Sequence, residues 1–178
     1  MQEKSRLKDR AFGAEKIKQA KEEIELQKEQ IELQRRYVDE ITDYLAGDRK
    51  RMEDSFQGIG VGLEIDKDGV ITNYRAVEEE LLRQENELID KFNEGKLDDE
   101  KYQEAQKKID EAREYLKIYE ETRDLYENEL IKLVEEMDEL ADKALDLTKM
   151  EIELKIDISD DKLKYLEYLL DKLNDDAY

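Results

Sequence analysis

Residues 99–147 read DEKYQEAQKKIDEAREYLKIYEETRDLYENELIKLVEEMDELADKALDL, and counting through them by sevens decides the fold. From Tyr102 the count meets Ile109, Leu116, Arg123, Leu130, Met137 and Ala144. From Ala105 it meets Ala112, Tyr119, Tyr126, Leu133, Leu140 and Leu147. Two apolar lanes held for nearly seven repeats, interrupted once by Arg123, form the a/d seam of a coiled coil. Such a helix is ~73 Å long at ~1.5 Å per residue. Asp98 suits its N-cap, and Asp99 and Glu100 suit the positive first turn.

Upstream, the N-terminal segment repeats the pattern with a thinner stripe. Ile17, Ile24, Ile31, Val38, Leu45 and Met52 fall seven apart, and their companion lane reads Ala20, Gln27, Gln34, Ile41. Polar seam residues weaken a coiled coil while fixing its register and partner. Gly47 interrupts this helix at a cost of about 1 kcal/mol. The lane nonetheless runs on to Met52, so the helix is expected to reach about Phe56, within an N-terminal segment 1–57. A third helix is expected from Asn73 as N-cap, burying Tyr74, Val77, Leu81, Leu88 and Phe92. Gly95 then fits a left-handed C-terminal cap, making residues 73–147 an antiparallel helical hairpin with a long second arm. The lane beyond about Leu125 (Leu130, Leu133, Met137, Leu140, Leu147) overhangs the shorter arm. Residues 10–56 are expected to cover it, in the same chain or from a neighbour.

Two stretches alternate with period two. In GIGVGLEID, Ile59, Val61, Leu63 and Ile65 share one side; in MEIELKIDI, Met150, Ile152, Leu154, Ile156 and Ile158 do. The expectation is a β-hairpin over 58–72, turned by KDG with Gly69 at positive φ, paired with a strand at 150–158 in a small sheet. Ser159 then reopens an amphipathic helix, with Asp160 and Asp161 in its first turn and Leu163, Leu166, Leu170 and Leu173 on one face, closing a segment 148–178. The fold class is mainly α, with elongated coiled-coil helices and a small β element.

Composition supports that class. The chain has 178 residues, 46% of them charged and 38% apolar, with no proline. A chain this polar stays ordered as long amphipathic helices rather than around a large core. No run approaches the ~18 apolar residues of a membrane span, and MQEKSRLKDRAFG carries no signal-peptide core. The net charge is −20; residues 1–36 hold ten Lys/Arg and eight Asp/Glu, leaving 21 against 43 for the rest. Direct duplex binding is a poor fit for that field. The first segment is expected instead to lie against an acidic surface of its own chain or of a neighbour.

Candidate chemistry is thin. Without Cys, His or Trp, thiol, triad and zinc chemistry have no residues to use. The stretch LEIDKDGVITNY, residues 63–74, resembles a calcium loop. Aligned on Gly69 it places Glu64 at position one, Asp66 at three, Asp68 at five, Val70 at seven, Thr72 at nine and Arg75 at twelve. Position twelve must close the shell with a bidentate carboxylate, and a guanidinium there favours the hairpin instead. GIGVG opens a strand and lacks the GK[ST] ending of a phosphate loop. Tyr119 and Tyr126 flank Arg123 as a seam layer whose guanidinium reaches an edge Glu. No catalytic residue, metal ligand or cofactor site is assigned, and the expectation is a non-enzyme.

Residues 119–178, YEETRDLYENELIKLVEEMDELADKALDLTKMEIELKIDISDDKLKYLEYLLDKLNDDAY, together with LEIDKDGVITNY and the EEELL of 78–82, resemble segments of very large tape-measure-like structural proteins of tailed bacteriophages. The likeness spans about residues 60–178, while 1–57 resemble generic coiled coil. Family members run far longer, so the chain is expected to be a fragment or a stand-alone relative. The resemblance implies a virion or tail component that assembles with copies of itself or other proteins, in the virion or cytoplasm of an infected bacterium. It brings no catalytic residues. The alternatives are an acidic coiled-coil binding module, either a prefoldin-like chaperone or adaptor or a DNA mimic. The Lys and Arg interspersed among the acids disfavour the mimic.

Overall fold

The structure is a computed structural model that describes the backbone of residues 2–176; the side chains described are those other than 157–163, 166 and 171–176. Three helices follow in order: α1 (Gln2–Gly58), α2 (Tyr74–Asn93) and α3 (Asp99–Asp176). The chain divides into two compact units. One combines α1 up to Gln34 with α3 from Lys132, and the other is Arg35–Ile131.

The Arg35–Ile131 unit holds the main core. Met52 and Phe56 of α1, Val77 and Leu81 of α2, and Ile109, Ala112, Leu116 and Tyr119 of α3 pack with Val61 of the connecting loop. Met52, Val77, Leu81, Ile109, Ala112, Leu116 and Tyr119 come from helix faces expected to be apolar, whereas the sequence places Phe56 only at the end of the first helix and Val61 in a strand. Two glycines end helices, Gly95 as the sequence predicts and Gly60 in place of the strand expected there. At the end of α1 the amide of Gly60 (φ 72°) donates to Gln57 O, and that of Val61 to Phe56 O. The end of α2 repeats the motif, with Gly95 (φ 75°) donating to Phe92 O and Lys96 to Lys91 O. These are Schellman caps, and in the first the accompanying apolar contact joins buried Phe56 and Val61. At the start of α3, Asp98 Oδ1 accepts from the Lys101 amide at 2.8 Å, as an N-cap should. Across the α2–α3 hairpin, Arg113 is ion-paired with Glu85, and the Phe92 and Tyr102 rings lie 4.5 Å apart between centroids.

In the other unit α1 runs antiparallel to α3. Ile24, Gln27 and Ile31 are buried, as is Leu133, while Leu140, Leu147 and Leu154 are half-buried. Gln27 Nε2 donates to the carbonyl oxygen of Glu136 at 3.3 Å. Lys21 meets Glu151 at 3.4 Å, and a β-carbon at Gly13 would sit 3.6 Å from Leu154 Cδ1. Of the overhanging lane, Leu133, Leu140 and Leu147 are therefore covered within the chain by the N-terminal helix. The slightly positive segment does lie on an acidic one.

Three expectations are corrected. Residues 150–158 are helix, not strand, and α3 runs unbroken through Leu147 and Ser159 to Asp176. No glycine follows Gly95 and there is no proline, so nothing stops a propagating helix that gains one hydrogen bond per residue. The small sheet does not form. The 58–72 hairpin reduces to one antiparallel bridge, Ile65 with Ile71, because the amides of Ile59, Gly60 and Val61 are spent capping α1. The amphipathic face expected from Leu163, Leu166 and Leu173, and the Ile158 side chain, lie outside the described side chains, while Leu170 is exposed. Finally, Leu130 and Met137 are more than one-third exposed, and Thr122, Glu129 and Glu136 are the half-buried positions instead. Successive three-residue steps from Leu116 to Tyr119 to Thr122 constitute a stammer that moves one lane back by one residue.

Candidate functional site

The loop between α1 and α2 is the one stretch the sequence singles out for chemistry, and its polar groups are occupied in holding itself. Asp66 Oδ1 accepts from the amides of Asp68 and Val70, both at 2.9 Å, and Asp66 O accepts from the Gly69 amide at 3.1 Å. This is an Asx-type turn, the local bonding that a short carboxylate offers a tight loop. The Asp66 amide donates to Val70 O at 2.9 Å and the Thr72 amide to Glu64 O at 2.8 Å, closing the KDG turn around Gly69 at φ 80°. Among the described residues no group of three or more acidic side chains is placed to hold a metal ion. Glu64, Asp66 and Asp68 are not brought together as ligands.

Asn73 takes a different part from the one expected. It precedes α2 but makes no side-chain cap. Its Oδ1 accepts from the Glu64 amide and its Nδ2 donates to Gly62 O, each at 2.9 Å. Gln84 Nε2 reaches back from α2 to Ile59 O at 2.8 Å. The loop is thus pinned at Ile59, Gly62 and Glu64 by two amide side chains. From α3, Tyr119 donates its hydroxyl to Gly69 O at 2.5 Å. Burial holds the Tyr119 phenol above its ordinary pKa, against the opposing pull of Arg49 and Arg123, so the donor proton stays in place at neutral pH. Arg123 itself turns to Glu127 at 3.2 Å and Asp124 at 3.7 Å. The seam arginine reaches an edge acid, as expected.

Asp48 was missed by sequence reasoning. It is buried on α1, accepts from Thr122 Oγ1 of α3 at 2.6 Å and pairs with Arg51 at 3.0 Å. Extending the companion lane one step past Ile41 lands on Asp48, so the signal was present in the spacing. A second polar layer is Gln27 against Glu136, where Gln27 Oε1 and Glu136 Oε2 are buried without a hydrogen-bond partner among the described residues. Both layers join α1 to α3, a placement that fixes register rather than performs chemistry. On the solvent side of α2, Glu80, Arg83, Glu87 and Lys91 form a chain of pairs at three- and four-residue spacing. Arg83 and Lys91 hold the Glu80 and Glu87 carboxyls below the usual range, as expected of a solvated charged face.

A different kind of site lies on α3. Val134, Leu145, Ile152 and Ile156 are 49%, 55%, 52% and 55% exposed, while Leu133, Leu140 and Leu147 on the neighbouring face meet α1. Singly scattered exposed aliphatics are ordinary, but four on one helix face form a patch of the kind used for association. No helix among the described residues is long and apolar enough to cross a membrane. No family model, curated protein or solved structure matches the chain.

Proposed function

We propose that the chain is a non-catalytic structural and assembly protein, a tape-measure-like component of a phage virion or tail. The observation that carries this is the second apolar face of α3, Val134, Leu145, Ile152 and Ile156, beside the face already covered by α1. A helix apolar on two sides is built to be packed on two sides. The buried polar residues add to the reading, since Asp48, Gln27, Asn73 and Tyr119 all serve to join elements. The likeness of residues 60–178 to tape-measure-like segments supplies the virion context. Mass spectrometry of purified virions whose genome encodes the chain tests it. Peptides from the chain are expected in intact particles; their confinement to the host-cell fraction refutes the virion assignment.

The same exposed aliphatics favour a second reading, an acidic prefoldin-like binding module that holds unfolded clients. Suppression of a model client's aggregation at stoichiometric ratios, with the chain absent from virions, would favour it.

A further inference from the structure

We draw no further inference here: the strongest candidate, the exposed apolar face of α3 formed by Val134, Leu145, Ile152 and Ile156, is an unpartnered helix face, and nothing in the structure shows what covers it.

Discussion

The Tyr119 hydroxyl donates to the carbonyl oxygen of Gly69 at 2.5 Å, tying the tip of the α1–α2 loop to α3 across fifty residues of chain. Gly69 has a φ of 80°, and a β-carbon there would stand 2.9 Å from that same hydroxyl. The loop therefore requires both partners as they are.

Gly69→Ala combines backbone strain with a clash, and should cost more than the ~1 kcal/mol of a positive-φ replacement alone. Tyr119→Phe should cost about 1 kcal/mol for the lost bond. The double variant should be less destabilised than the sum, because removing the hydroxyl also removes the clash. Urea unfolding of the four proteins measures this directly; strict additivity would mean that Gly69 and Tyr119 do not share a contact.

Calcium should leave the protein unchanged. Asp66 already accepts two amides through Oδ1, and the alignment closes on Arg75 rather than a glutamate. Millimolar calcium should shift Tm by less than about 1 °C, within the noise for a chain of this size. Asp66→Ala should lower Tm with or without the ion. A rise of several degrees, reversed by chelator and lost in Asp66→Ala, would mean that the turn is a binding loop.

Much of this architecture was legible. The α1 lane Ile24, Ile31, Val38, Met52 is buried as counted, and so are Ile109, Ala112, Leu116, Tyr119 and Leu133 of α3. Long lanes are legible because each added heptad repeats the evidence. Residues 150–158 were not, because Ile152 and Ile156 are neighbours four apart on a helix as well as two-step partners on a strand. Leu147 and Leu154 likewise extend the seven-residue lane. The absence of any breaker was the better guide. Asn73 misled for another reason: its position before α2 reads as a cap, while its side chain is claimed by Glu64 and Gly62, which no local pattern reveals. The exposed stripe of α3 was hidden by counting sevens where its spacing is eleven.

Glu120 should make stability depend on pH with the opposite sign to the surface acids of α2. Burial raises its pKa, helped by Asp124 and Glu78 and opposed by Arg123. A carboxyl whose folded pKa is raised favours folding when protonated, and that contribution is lost as pH rises through the folded value. Glu120→Gln should therefore raise Tm relative to the parent at pH 7, with the difference vanishing near pH 4. An equal difference at both pH values would place the effect outside titration.

Gln27 trades stability for register. Its Nε2 is bonded to Glu136 O, but its Oε1 is buried without a partner among the described residues. Gln27→Leu should stabilise the chain by about 1 kcal/mol, since replacing an incompletely paired buried amide with an apolar side chain removes its desolvation penalty. It should also broaden the distances between spin labels placed on α1 and α3 of that unit, as other registers become accessible. Destabilisation with sharp distances would mean that the amide is fully satisfied.

The packing of the N-terminal half of α1 on the leucine lane of α3 is tested most directly by hydrogen exchange over residues 132–156 in the full-length chain. Ile24 and Ile31 are each 6% exposed at that seam, and an aspartate in either place would put an unpaired charge there. In the parent those α3 amides should be protected, and in the Ile24→Asp/Ile31→Asp variant they should exchange at least tenfold faster, while residues 105–119 keep their protection. Unchanged protection over 132–156 in the variant would contradict the packing of α1 on α3.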